Sequence, residues 1–207
     1  MSLPKEGDPS PIVIHSAVGK ALTDWERLDR NLADIFSLLV AGYVPNLAAS
    51  RAYGSVLSVR GRIEMIQAAG AAVFADKPNK VLRLRLKELL EEAEGFAARR
   101  NDIAHGITSQ YLSTDNKPIG YVLGPGVTAT RKVKLTSAER CESGEQPTLT
   151  VSYAYTAADI DRFGTEFARL RHEAMFVKRA LLKYVADPST VFGNERFGRP
   201  SSPQTPE

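Results

Sequence analysis

The sequence contains few of the residues from which disulfides, metal sites and membrane spans are made. Cys141 is the one cysteine among 207 residues, so no internal disulfide can form and a secreted, disulfide-rich protein is not expected. One cysteine and three dispersed histidines also argue against a metal site. No apolar run approaches the roughly 20 residues of a membrane span, and residues 1–11 do not resemble a signal peptide. We therefore expect a cytoplasmic protein without a membrane segment, a metal or a cofactor.

What the chain does contain is an ordinary globular composition with a small excess of positive charge. Hydrophobic residues make up 43% and charged residues 25% of the sequence, which is typical of a folded domain. The net charge of +3 and the pI near 9.0 permit an anionic partner without requiring one. The length suits one domain, which we place at residues 16–186, between a flexible N-terminus (1–15) and a disordered tail (187–207).

Four long segments with apolar residues at steps of three and four predict four helices. They run over about residues 16–41, 47–74, 80–105 and 156–186. Thr156 and Asp159 resemble a capping box at the start of the fourth helix. Short connections between amphipathic helices favour antiparallel packing. The sequence therefore predicts a mainly α fold, an antiparallel four-helix bundle.

The one long connection, residues 107–155, changes to a period of two. Its alternating segments are rich in Thr, Tyr and Val, and turn sequences near residues 115–118 and 124–126 separate them. This pattern predicts three or four antiparallel strands. We expect a small β-meander inserted between helices three and four.

The end of the third predicted helix concentrates chemically active side chains. They are Arg99, Arg100, Asn101, Asp102 and His105, and Gly106 follows where a helix would stop. A histidine readily gains and loses a proton near neutral pH, and a guanidinium matches phosphate oxygens. Arginine and histidine without a metal suit cleavage of a phosphodiester by an internal nucleophile. Asn101 would then bond the phosphate or orient the imidazole.

The spacing within this stretch adds a constraint. On an ideal helix Arg100 and His105 lie about 140° apart around the axis, so the two side chains would not face each other. Either the helix unwinds before Gly106, or a second copy of the chain completes the site across a two-fold axis. The second alternative predicts a homodimer with a shared cleft.

Residues 100–105, Arg-Asn-Asp-Ile-Ala-His, resemble the R-x4-6-H motif of the HEPN superfamily, in which a polar residue commonly follows the arginine. The resemblance covers the helical frame, about residues 16–105 and 156–186, and not the strand insert. It implies a bundle of four or five helices that is commonly dimeric. Many such domains are metal-independent ribonucleases of toxin–antitoxin, abortive-infection and CRISPR systems.

The resemblance also implies roles for individual residues. His105 would act on the 2′-OH or on the leaving oxygen, Arg100 would stabilise the phosphate, and Asn101 would support the pair. The products would be a 2′,3′-cyclic phosphate and a 5′-OH. The nearest tyrosine after the histidine is Tyr111, which departs from the subgroup whose toxins are silenced by nucleotide transfer onto a tyrosine directly after the histidine.

Other polar residues are weaker candidates for substrate binding. They are Asp102, Arg99, Arg60 and Arg131. Each also has an ordinary explanation, as part of a solvated helix face or as a charge that protects a sheet edge. Arg100 and His105 themselves would suit a helix C-terminus without any catalytic role.

Three functions therefore stay open at the level of the sequence. The first is a dimeric HEPN-type endoribonuclease whose partners are RNA, a second copy and an antitoxin or activator protein. The second is a non-catalytic HEPN-like module that binds RNA, a nucleotide or a protein. The third is a helical protein that dimerises through the apolar seam of the fourth helix.

Overall fold

Five helices make up most of the described chain, in a computed structural model that describes residues 3–113, 115, 117–126, 132–135 and 149–186. The helices are α1 (Pro11–Ala41), α2 (Leu47–Ser55), α3 (Val59–Asp76), α4 (Lys80–His105) and α5 (Ala157–Ala186). The prediction of a mainly α fold is confirmed. Within the described residues, none of these helices has the length and apolar character of a membrane span. The predicted disordered tail, 187–207, lies outside the described residues.

The first helix begins earlier than predicted. Ser10 is its N-cap and accepts a hydrogen bond from the Ile12 backbone at 3.2 Å, and Pro11 occupies the first helical position. Both residue types favour a helix start, because serine satisfies a free N–H and proline has none to satisfy. Ile14 is fully buried. The predicted start of the helix near Ser16 is therefore wrong.

The second predicted helix is two helices. Val56 is extended and ends α2, and the Ser58 side chain accepts from the Gly61 backbone at 3.0 Å to begin α3. The Arg62 guanidinium donates to the Val56 carbonyl at 2.8 Å, which satisfies a backbone group freed by the break. The prediction of one helix over residues 47–74 is wrong because local capping overrides a continuous apolar period.

The core lies mainly between α1 and α5, which pack along their lengths. Phe167 of α5 lies edge-on to Trp25 of α1 at 5.1 Å and to Phe96 of α4 at 5.9 Å between ring centroids. Gly164 of α5 faces Ala21 of α1, and a Cβ there would lie 3.4 Å from Ala21, an ordinary van der Waals contact. Helices α3 and α4 pack against α1 and against each other.

The strands form two separate antiparallel sheets in the described part of the chain. They are β1 (Gly106–Leu112) with β2 (Pro118–Pro125), and β3 (Val133–Leu135) with β4 (Leu149–Val151). The prediction of antiparallel strands here is confirmed. Among the described residues these strands do not join into one sheet, and the second edge of β2 carries isolated bridges to Asp8 and Tyr155.

The N-terminal segment is tied to this sheet. Asp8 exchanges two backbone hydrogen bonds of 2.8 Å with Tyr121 of β2. The Asp8 carboxylate also accepts from the backbone of Ala157 at 2.7 Å, at the first residue of α5. Thr156 and Asp159 form the predicted capping box at the same helix end, which is confirmed. Asp8 therefore links the segment before α1 both to β2 and to the start of α5.

Candidate functional site

Helix α4 remains helical through His105 and passes directly into β1. Gly106 has φ −72° and ψ 153°, an extended conformation open to any residue, so it does not end the helix by a left-handed turn. A Cβ at this position would lie 2.7 Å from Leu123 of β2 and 2.8 Å from the Asp102 carbonyl. The glycine is needed for this close approach of the sheet. The alternative in which the helix unwinds before Gly106 is therefore contradicted.

Arg100 is held between two neighbours. Its Nη2 lies 3.2 Å from Glu26 of α1 and its Nη1 lies 3.3 Å from the Asn101 side-chain oxygen. The Nε is buried and has no hydrogen-bond partner among the described residues. The side chain is 27% exposed. Glu26 has no signal in the sequence for this contact beyond its place on the polar face of a distant helix.

Asn101 and His105 are exposed and lie one helical turn apart. Residues four apart on a helix differ by about 40° around the axis, so these two side chains share a face. In the part of the chain that the structure describes, the His105 ring has no hydrogen bond or ion pair, which leaves both nitrogens open to a ligand. Arg100 reaches toward this face through its contact with Asn101. The three side chains thus form one polar surface at the end of α4.

Asp102 points the other way and is 3% exposed. Its carboxylate accepts from Arg99 at 3.3 Å and from the Tyr155 hydroxyl at 3.0 Å, and it pairs with Lys132. Its backbone carbonyl accepts from the Tyr153 hydroxyl at 3.2 Å. We name these five residues the Asp102 cluster. The carboxylate that the sequence offers as a substrate-binding group is thus enclosed and already has three donors.

The Asp102 cluster joins three parts of the fold. Arg99 and Asp102 belong to α4, Lys132 precedes β3, and the two tyrosines follow β4. The tyrosine rings stack at 4.8 Å, and the Lys132 ammonium lies 5.4 Å from the centre of the Tyr153 ring. Burial first, and then the Asp102 charge, raise the pKa of both Tyr153 and Tyr155 to about 12. The cluster therefore holds the strand insert against the last turn of α4, directly behind the exposed Asn101 and His105.

Two of the remaining candidate cations, Arg99 and Arg60, are also paired with carboxylates. Arg99 lies within the Asp102 cluster and donates to Tyr155 at 3.1 Å, so the structure gives it a packing contact. Arg60 is exposed on α3, 2.9 Å from Glu64 and 4.0 Å from Glu94. Arg131 lies outside the described residues. Any phosphate that approaches Arg60 or Arg100 would therefore compete with a carboxylate.

Within the described residues, no group of three or more His, Cys, Asp or Glu side chains is arranged to hold a metal ion. The chemistry available at the end of α4 is that of an imidazole, an amide and a guanidinium. The sequence matches no protein-family model, and comparison with curated proteins and with solved structures finds no significant similarity.

Proposed function

We propose that the chain is a dimeric HEPN-type endoribonuclease that cleaves RNA without a metal. In this proposal α1, α3, α4 and α5 are the helices of a HEPN-like bundle, and the strand insert is an addition to it. The observation that carries the proposal is the polar surface of Arg100, Asn101 and His105 at the end of α4. It combines the exposed imidazole of His105 with the amide of Asn101 one turn earlier, and the Arg100 guanidinium contacts that amide.

The reaction would be an internal transfer that needs no water. The 2′ oxygen attacks phosphorus, the bond to the 5′ oxygen breaks, and a 2′,3′-cyclic phosphate and a 5′-OH result. His105 would take the proton of the 2′-OH or give a proton to the leaving oxygen, and the other proton would exchange with the solvent. Arg100 would stabilise the charge that develops on the phosphate oxygens.

The helical geometry favours a site shared between two copies. Because α4 is regular to its end, Arg100 and His105 of one chain stay about 140° apart and about 7.5 Å apart along the axis. A two-fold axis beside the end of α4 would place the arginine of each copy near the histidine of the other. We further propose a cytoplasmic role in phage defence or as a toxin restrained by an antitoxin or activator.

The first experiment is RNA cleavage in the presence of EDTA by the wild type and by His105→Ala and Arg100→Ala. We expect cyclic-phosphate ends from the wild type and loss of cleavage in both variants. His172→Ala is the matched control, since His172 is an exposed histidine of α5, and it should cleave normally. A folded, dimeric wild type that binds RNA but never cleaves it would instead indicate a non-catalytic binding module.

Mixing two inactive variants tests whether the site is shared. If Arg100 and His105 act from opposite copies, a mixed dimer of Arg100→Ala and His105→Ala keeps one intact site. Random exchange of equal amounts should then restore about a quarter of the wild-type sites. No recovery in mixtures that have demonstrably exchanged would refute the shared site and leave both residues acting within one chain.

A further inference from the structure

The start of α4 carries an unusual concentration of positive charge. Residues 77–87 contain five lysines and arginines and no acidic residue. The first turn of α4 has no acidic side chain, and Glu88, Glu91, Glu92 and Glu94 follow only later in the helix. Cations near a helix N-terminus oppose the helix dipole and are unfavourable there. The arrangement weakens the helix, so helix stability does not explain it.

These cations are open to a partner. Lys80, Arg83, Arg85 and Lys87 are all exposed. Lys87 lies 3.6 Å from Glu91, whereas Lys80, Arg83 and Arg85 have no carboxylate within ion-pair distance in the described chain. This differs from the other end of α4, where Arg99 and Arg100 each contact a carboxylate. We name residues 80–87 the basic ridge.

The basic ridge also exposes aliphatic side chains between two apolar grooves. Val81 is 69% and Leu84 is 55% exposed. One groove of about 230 Å³ lies between α3 and α4, with Arg83 and Lys87 on its rim and an apolar floor formed by Gly70, Ala71, Phe74, Leu86 and Leu90. The other, of about 440 Å³, lies between α4 and α5, where Arg85 stands beside Val81, Leu82, Ala180 and Tyr184. The cations of the basic ridge therefore stand at the rims of two grooves with apolar linings.

We propose that the basic ridge docks an acidic segment of a partner protein, whose leucine or phenylalanine side chains fill the groove between α3 and α4. Glutamates or aspartates of the segment would pair with Arg83 and Lys87 on the rim, and the apolar side chains would rest on Phe74 and Leu86. An acidic amphipathic helix combines both features at the spacing that such grooves accept. Charge complementarity would speed the association of the two proteins, and apolar contacts at the floor of the groove would stabilise the complex.

The same features fit other anionic partners less well. Nucleic acid would use the cations, but its bases stack on aromatic rings and would leave the apolar floor of the groove between α3 and α4 without a role. A flat anionic membrane would contact the ridge and leave that groove unfilled. The ridge lies about 32 Å from the His105 end of α4, taking 1.5 Å for each residue between Leu84 and His105. The proposed docking is therefore separate from the proposed RNA site and does not rest on it.

The test uses the full chain and a fluorescent helical peptide in which leucines at i, i+3 and i+7 stand among glutamates. Anisotropy should show micromolar binding that weakens as salt is raised. Arg83→Glu combined with Lys87→Glu should weaken binding at least about tenfold. The matched control combines Lys20→Glu with Arg51→Glu, two exposed cations on α1 and α2, and should bind as the wild type does. Circular dichroism checks that both double variants remain folded.

Peptide controls separate the charge from the apolar contribution. The same peptide with lysine in place of glutamate should not bind, and one with alanine in place of leucine should bind at least about tenfold more weakly. No binding of the acidic peptide up to about 1 mM would overturn the proposal. Equal losses of peptide binding in the Arg83→Glu/Lys87→Glu variant and in the Lys20→Glu/Arg51→Glu control would also overturn it. If the peptide does not bind, but phosphatidylglycerol vesicles or single-stranded RNA bind in a way that depends on Arg83 and Lys87, the proposal is likewise overturned.

Discussion

Asp102→Asn should be among the most destabilising single substitutions outside the apolar core. Asparagine keeps the shape and one acceptor for Tyr155, but it removes the charge that Arg99 and Lys132 share. Breaking a buried ion pair by removing one partner costs about 3–5 kcal/mol. Here Arg99 is 43% and Lys132 is 40% exposed, so water recovers part of their solvation and we expect about 2–3 kcal/mol.

Urea denaturation measures this loss directly. With a slope of about 2 kcal/mol/M, the unfolding midpoint of Asp102→Asn should fall by about 1–1.5 M, and the melting temperature by about 5–10 °C. Asp161→Asn, an exposed carboxylate on α5, is the control and should stay within about 0.5 kcal/mol of the wild type. If Asp102→Asn also stays within that limit, the Asp102 cluster contributes nothing to stability. The account of how the strand insert is attached would then be refuted.

Three further measurements follow from individual contacts. The pKa of Tyr153 and of Tyr155 is raised to about 12 in the folded protein, above the unfolded value near 10. The contribution of the two neutral hydroxyls to the stability of the fold is therefore complete below pH 10 and is lost as the pH rises to 12. The free energy of unfolding should fall by about 1–2 kcal/mol per tyrosine over that range, and the corresponding phenylalanine variants should remove the slope. In a urea titration, Gly106→Ala should lower the free energy of unfolding by about 1–3 kcal/mol, because its Cβ would overlap the sheet. Gly95→Ala has open space around its Cβ and should raise the free energy of unfolding by about 0.5–1 kcal/mol. The opposite order of the two variants would contradict the close approach of β2 to Gly106. Glu26→Gln should tighten RNA binding roughly two- to fivefold by removing a competing carboxylate, and unchanged or weaker binding would argue against competition.

The sequence predicts the fold well where signals are local. The apolar periods place α4 and α5 within a residue of their observed bounds. The start of α1 and the break between α2 and α3 depend on single capping residues, Ser10 and Ser58, which a periodicity argument overlooks. Capping contributes about 1 kcal/mol and acts at one position, whereas periodicity is averaged over many residues. The boundaries of a helix therefore depend on single capping residues, which are weaker signals than the apolar period that predicts the helix.

In the candidate site, too, local features can be predicted from the sequence and contacts between distant segments cannot. The polar surface of Arg100, Asn101 and His105 comes from one continuous helix, so its spacing is readable in the sequence. The contacts that decide what each side chain does come from distant segments. Glu26 reaches Arg100 from α1, and Lys132 reaches Asp102 from the strand insert. No local pattern distinguishes a buried aspartate from an exposed one, because burial is decided by the side chains that the fold brings to it.

The packing of α1 against α5 has a consequence for how the protein is made. A ribosome releases α1 early and α5 much later, since the strand insert lies between them. During that interval Trp25 lacks its α5 partner Phe167, and the growing chain exposes the part of α1 that α5 later covers. Such surfaces recruit chaperones and proteases. Translation products that stop before α5 should therefore be degraded rather than accumulate, so truncated forms without α5 should be scarce in the cell.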